Sequence, residues 1–323
     1  MQVFGVIFVI MNKNELLENL RPRAAKLWKR WQGLVSPLLA KELRQREKEA
    51  VEAVELAHID TKMGIPNFRA YLRYCAAVIG FQEKLPEENK LEGLSEKNQL
   101  KDRAYLLVSL LDIDKFKEIN DLFIHDDADK VLEEIGRRLQ NTLRWDADWG
   151  LSNRGKMATA LKSHLVQQGI NYYDTAFRHG GEEIGIISPV CYDEPTSHQA
   201  AYDDAQRIAQ RIQDIFSEPF TIPVNAEHVE RARKYIAQEK SYYKNARIIE
   251  REGEFSVILS VTASIGYITA TLDEFRQSNV LGNADALTNH CKDNGRNLMA
   301  TRVPDMGGRL NIVTFAGRDL VPT

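Results

Sequence analysis

No run of about twenty apolar residues, the length needed to cross a bilayer, occurs in this 323-residue chain. The apolar stretch near its start, Val3 to Met11, is far shorter and lacks a positively charged lead. Neither a membrane span nor a secretory signal is expected, and Met11-Asn12-Lys13 looks like an alternative translation start. Cysteine is scarce: Cys75, Cys191 and Cys291 are odd in number and far apart, with neither a CxxC pair nor a zinc spacing. That excludes a disulfide framework and a structural zinc, and predicts reduced thiols in a cytoplasmic protein. Excess charge of one sign is also missing. With a formal net charge of -3 there is no reason to expect a nucleic-acid polymer as partner, although a nucleotide held by a few local lysines and arginines stays compatible. No internal repeat or low-complexity segment is apparent. The 43% hydrophobic and 28% charged residues belong to an ordinary globular protein, long enough for one elaborated domain or two modest ones.

What the chain does hold is an abrupt junction of apolar and acidic residues. Tyr105 to Leu111 is a continuous apolar run ended by acid, which reads as a buried strand delivering Asp112 to a sheet edge. If the strand continues, Asp112 and Asp114 share one face, because side chains repeat every second residue. Phe116, Ile119, Leu122 and Phe123 then recur at helical spacing, with Lys117, Glu118, Asn120 and Asp121 between them. An acidic strand end beside a lysine-bearing helix suits a metal and a phosphate. Either Asp alone is more simply read as a cap for the free N–H groups of the helix. The second feature is Phe177-Arg178-His179-Gly180-Gly181-Glu182-Glu183-Ile184. Strand-like residues on both sides of Gly-Gly mark a hairpin, since glycine tolerates positive φ, and two glutamates open the strand after the turn.

Together these stretches resemble the GGDEF family, the diguanylate cyclases, whose signature turn reads here Gly180-Gly181-Glu182-Glu183-Ile184. Asp60-Thr61-Lys62-Met63-Gly64-Ile65-Pro66-Asn67 is similar to the family's D-x-L-T-G-L-x-N, and Leu111-Asp112-Ile113-Asp114-Lys115-Phe116-Lys117 to its L-D-I-D-x-F-K. Val261-Thr262-Ala263-Ser264-Ile265-Gly266 resembles the T-x-S-I-G strand, and Lys292-Asp293-Asn294-Gly295-Arg296-Asn297 the K-x-x-G-R-N ending. The motifs keep the family's order from about Asp60 to Thr301.

Between the motifs, the pattern predicts charged helices from Glu15 to about Ala57 and a helix from Pro66-Asn67 onward. A polar, turn-rich insertion follows from Leu85 to Asp102. Helical spacing returns at Val131, Leu132, Ile135, Leu139 and Leu143, at Lys156 to Gln168, and at Ala200 to Phe216. A second enlargement, Pro223 to Glu254, places Val229, Ala232, Tyr235 and Ile236 at helical spacing under a charged surface. Phe255 to Thr269 reads as one strand, Ala284 to Cys291 as a helix and Asn311 to Phe315 as a last strand. The expected organisation is an N-terminal helical segment of unknown role over 1–58, then a cyclase-like domain over 59–323 with insertions near 85–102, 146–169 and 223–254. Strands and helices alternate without a strict βαβ rhythm around one hairpin, which predicts an α+β fold, a mixed sheet flanked by helices. The resemblance implies the palm-like sheet of nucleotidyl cyclases, with Asp112 and the Gly180-Gly181 turn side by side.

The resemblance further implies a Mg²⁺ or Mn²⁺ site formed by Asp112, Glu182, Glu183 and the backbone carbonyl of Ile113. Acids this close repel one another unless a cation joins them. It implies Lys117, Lys292 and Arg296 on the triphosphate, Asn120 and Asp129 on guanine, and Lys115, Phe116, Gly180 and Gly181 along the bound GTP. Lys292 and Arg296 are also residues that favour a helix C-terminus. Two family glycines near the base are Ile124 and Ala128 here, which puts the local backbone path in question. The family's inhibitory R-x-x-D falls at Asn171-Tyr172-Tyr173-Asp174 and lacks its arginine. The implied activity is condensation of two GTP into cyclic di-GMP by a homodimer, its regulatory partner unknown. A non-catalytic module binding GTP or cyclic di-GMP, and a cyclase making a mixed or linear nucleotide, are the other readings.

Overall fold

In a computed structural model, the structure describes residues 45, 57–88, 104–143, 155–170, 174–192, 196–238, 241–304 and 310–316. The chain divides into two compact units, Met1–Ala57 and His58–Thr323, and every element below belongs to the second. The expected N-terminal helices, most of the 85–102 insertion and Asn171 lie outside the described residues. In chain order the elements begin α1 (Phe68–Glu88), β1 (Ala104–Ile113), α2 (Phe116–Leu122), α3 (His125–Thr142) and α4 (Gly155–Gln167). The signature hairpin, β2 (Thr175–Gly180) and β3 (Glu183–Cys191), is followed by α5 (His198–Asp214), β4 (Phe220–Val224), α6 (Ala226–Ile236), β5 (Arg247–Arg251) and β6 (Glu254–Leu259). β7 (Ala263–Thr271), α7 (Leu272–Gln277), α8 (Val280–Asp293), β8 (Leu298–Pro304) and β9 (Leu310–Ala316) complete the set. Among the described residues no helix is long and apolar enough to cross a membrane.

An uninterrupted apolar run must be buried on both faces, and all ten residues of β1 are buried. Tyr105, Leu107, Leu111 and Ile113 enter one core with the apolar stripes of α3 and α5. Leu106 and Val108 enter another with those of α1 and α4. The strand order is β2-β3-β1-β7-β8-β9, antiparallel throughout except for β7 with β8. The fold is thus α+β, a mixed sheet with flanking helices, as the sequence indicates. Asp112, however, does not lie at a lateral sheet edge. It ends an interior strand, opposite Glu183 of β3 on one side and Ser264 of β7 on the other. A strand's end and a sheet's edge are indistinguishable in a sequence.

The helical spacing after the acids belongs to two helices, α2 ending at Leu122 and α3 opening at His125. One further expectation is corrected. The single strand expected over Phe255 to Thr269 is two strands in different sheets. β6 joins β4 and β5 in a small antiparallel sheet of order β4-β6-β5, while β7 pairs with β1. Val257, Leu259, Val261, Ala263, Ile265 and Tyr267 all enter the same core, so the period-2 pattern runs unbroken through the switch and carries no sign of it.

Gly266 shows how tightly α8 is pressed on this sheet. A Cβ there would fall 2.1 Å from the Ala284 carbonyl oxygen and 2.5 Å from the Thr288 nitrogen, both backbone atoms. Gly266→Ala is expected to cost about 2–3 kcal/mol of unfolding free energy, read from denaturant midpoints. A loss under about 0.5 kcal/mol, the range of a surface substitution, contradicts this packing.

Candidate active site

The β1/β3 register places Asp112 beside Glu183, and the Ile113 N–H donates to the Glu182 carbonyl at 3.3 Å. Gly181 takes φ 48 in the turn, the left-handed region that glycine enters without strain. Only Glu183 opens β3; Glu182 remains in the turn. Arg178, given no role by the sequence reading, braces this turn from outside. Its Nε and Nη2 donate to the Gly181 carbonyl at 2.9 and 2.7 Å, and Nη1 to the Asp60 carboxylate at 3.1 and 3.2 Å.

Asp112 and Asp114 have different tasks. Asp114 is 1% exposed and accepts from Thr262 Oγ1 at 2.8 Å, Ser264 Oγ at 2.7 Å and the Asn297 N–H at 3.0 Å. Asp112 accepts from Lys292 Nζ, in the last turn of α8, at 2.7 Å. Burial pushes the Asp112 carboxyl above its ordinary range; Lys292 pulls it back, and the charges of Glu182 and Asp114 push it up again. Neither residue caps the helix. The N-cap of α2 is Lys115, left-handed at φ 57, with no side-chain cap bond.

The acids do not require a metal to coexist, as their clustering in the sequence suggests, because the Lys292 ammonium meets Asp112 directly. Among the described residues, no group of three or more His, Cys, Asp or Glu forms a metal-binding cluster. The donor chemistry nevertheless fits a hard divalent cation. The charge of Glu182 still acts on the buried Asp112 carboxyl, and carboxylate and carbonyl oxygens are the ligands such ions take. Cys75, Cys191 and Cys291 form no disulfide, and burial pushes the Cys75 and Cys291 thiols up to about 12.

On the base side, Asn120 lies in the last turn of α2 and Asp129 near the start of α3. The two Asp129 oxygens accept from Lys62 Nζ at 2.8 and 2.7 Å. Lys62 stands where the D-x-L-T pattern has leucine. A cleft of about 930 Å³ opens here, bordered by Lys62, Asp126, Asp129, Lys130, Arg137 and the Thr221–Pro223 segment. Ile124, at φ -89 and ψ 165, and Ala128, inside α3, need none of glycine's freedom, so the altered glycines leave an ordinary backbone path. Lys115 and Lys117 are exposed and Arg296, at φ 65, is partly so, whereas the Phe116 ring lies in the core and offers a ligand only its backbone. Asp174 is fully buried and accepts from Ser188 Oγ at 2.7 Å, so it offers no surface anion site.

The end of the central strand β1 thus brings one carboxylate beside a glycine hairpin carrying two more and a lysine from α8. The GGDEF family profile, described as diguanylate cyclase, GGDEF domain, matches residues 87–150. The chain is 33% identical over 114 residues to the response regulator PleD of Caulobacter vibrioides, covering 35% of this chain and 17% of PleD. It is 24% identical over 182 residues to the diguanylate cyclase DgcP of Escherichia coli, covering 51% of this chain and 48% of DgcP. A solved structure of the coiled coil and GGDEF domain of DgcB from Caulobacter crescentus, in complex with c-di-GMP, is similar over 81% of this chain and 95% of that one, at 16% identity and TM-score 0.46. The match to the GGDEF family profile covers about a fifth of the chain, and over that stretch the chain is similar to the family. The chain spans less than half the length of these curated relatives.

A carboxyl with a raised folded pKa contributes stability while protonated and loses it as pH rises through that pKa. Asp112→Asn removes that loss. In metal-free protein the variant is expected to melt about 1–4 °C above wild type near pH 8, with the gap closing near pH 4. A variant less stable at both pH values means that pairing with Lys292 outweighs burial.

Proposed function

We propose that this chain is a diguanylate cyclase that condenses two GTP into cyclic di-GMP and two pyrophosphates as a homodimer, each subunit presenting one GTP. The observation that carries this reading is the Asp112 carboxylate, placed opposite Glu183 by the β1/β3 register and joined to Lys292 at 2.7 Å. Acid and phosphate-binding cation thereby meet at one point. Asp112, Glu182, Glu183 and the Ile113 carbonyl would hold Mg²⁺ or Mn²⁺, which would lower the pKa of the 3′-hydroxyl and neutralise charge on the leaving pyrophosphate. Lys117, Lys292 and Arg296 bind the triphosphate and Asn120 and Asp129 the guanine. Asp129 accepts from N1–H and the exocyclic amine, a pattern adenine lacks. The 3′-oxygen of one GTP forms its bond to the α-phosphorus of the other as the bond to pyrophosphate breaks, and the hydroxyl proton passes to the Glu183 carboxylate. Repeating the step in the opposite sense closes the ring.

A second reading, a regulatory module that binds GTP or cyclic di-GMP without turnover, is favoured by the two lysines that close on working carboxylates, Lys62 on Asp129 and Lys292 on Asp112. Incubation with GTP, ATP and Mg²⁺ and identification of products by mass separates the readings. Cyclic di-GMP supports the cyclase, GTP binding without product supports the module, and a mixed or linear product changes the reaction assigned.

Glu183→Gln and Asp112→Asn are each expected to lower turnover by a factor of about 10³ or more, as loss of metal-bound charge does, while circular dichroism stays unchanged. Near-normal rates in either variant remove these acids from the reaction. Asp129→Ala is expected to weaken GTP more than ATP in equilibrium binding. Equal weakening of both nucleotides means that Asp129 does not read the base.

A further inference from the structure

The enlargement between Pro223 and Glu254 does more than add a solvated helix. Val229, Ala232 and Tyr235 bury one side of α6. His228, Arg231 and Tyr235, spaced by three and four residues and hence neighbours on one helical stripe, carry polar groups directly onto the acidic stretch. The Tyr235 hydroxyl bonds to Glu118 in the first turn of α2, and burial followed by that carboxylate pushes the phenol up to about 12. The Arg231 guanidinium faces the C-terminal end of α2, with Nη2 3.5 Å from the Asn120 carbonyl oxygen and 3.3 Å from that of Asp121. Carbonyls of a helix's last turn have no partner within the helix and favour a cation. One turn earlier on α6, His228 Nδ1 lies 2.8 Å from Oδ2 of the fully buried Asp127, in the first turn of α3. The other Asp127 oxygen accepts from Lys130, whose ammonium also donates to the Pro223 carbonyl at 2.9 Å. The insertion therefore grips α2 at both ends and α3 at its start. The link it spans, Phe123-Ile124, is the one that separates Asn120 from Asp129.

We infer that α6 is a built-in clamp that sets the spacing of the two base-reading residues, with His228, Arg231 and Tyr235 acting as positioning residues for guanine recognition. This rests on the assignment of Asn120 and Asp129 made under Proposed function. The clamp touches no substrate. It acts through the α2–α3 corner, and its loss loosens guanine binding while leaving the acids at the end of β1 in place.

The test uses the full chain with Arg231→Met, Arg231→Lys and Tyr235→Phe. Hydrogen exchange at the backbone amides of residues 119–127, measured without nucleotide, reports on the clamp itself. Calorimetry with GTP and with ATP reports on the base. Arg231→Met and Tyr235→Phe are expected to speed exchange in this corner and to weaken GTP by about three- to tenfold, as loosened positioning does, with ATP affinity and the melting temperature nearly unchanged. Arg231→Lys, which keeps the charge, recovers part of the loss. Should Tyr235→Phe unfold the chain, the exposed Arg231 still provides the measurement. Unchanged exchange with unchanged GTP affinity overturns the clamp, and so does equal weakening of GTP and ATP. Faster exchange in a protein that binds no GTP leaves the clamp standing and sinks the nucleotide assignment instead.

Discussion

The carboxylate of Asp114 is the constraint on which the rest of the site depends. A charge with almost no exposure survives only when its oxygens are filled by donors. These donors come from segments distant in the chain: two hydroxyls from the start of β7 and one N–H from the loop after α8. The Asp114 N–H in turn donates to the Thr262 carbonyl at 2.9 Å. One buried ion thus fixes the end of β1, the point where the chain leaves the small sheet for the large one, and the loop that carries Arg296. Gln213 of α5 adds to this anchor by donating to the Asn297 side chain at 2.8 Å. With Asp114 spent on architecture, Asp112 is the acid of this strand end whose partner is the Lys292 ammonium.

The left-handed residues around the anchor fit that division. Gly295, Arg296 and Asn297 all have positive φ, an unusual run for a chain in which only the first is glycine. The Asn297 N–H reaches Asp114 because of that path. Strain in the loop is offset by a hydrogen bond to a buried charge, among the stronger kinds available to a neutral donor.

Much of this was legible in the sequence, and the failures have physical causes. The central strand announces itself as an unbroken apolar run, the hairpin by its Gly-Gly pair and the helices through periodicity. The switch of sheet after Leu259 leaves no trace, because alternation continues on the same core face. The roles of Asp112 and Asp114 could not be separated by spacing alone, since the distinction lies in Thr262, Ser264 and Asn297, about 150 or more residues away. Lys62 stands where the motif has leucine, and its partner Asp129 is 67 positions further on. The charged surface of α6 looked like solvated helix. Its stripe at 228, 231 and 235 becomes meaningful only once α2 and α3 lie beneath it.

The way α6 meets α2 bears on which substitutions the contact tolerates. At the end of α2 the acceptors of Arg231 are main-chain oxygens, which every residue type supplies. The underlying helix needs no complementary side chain there, and Asn120 and Asp121 are free to be whatever the ligand demands. At the start of α2 the contact is of the other kind, the Tyr235 hydroxyl bonding to the Glu118 carboxylate. A side-chain change at Asn120 or Asp121 therefore leaves the acceptors of Arg231 in place, whereas a change at Glu118 removes the partner of Tyr235.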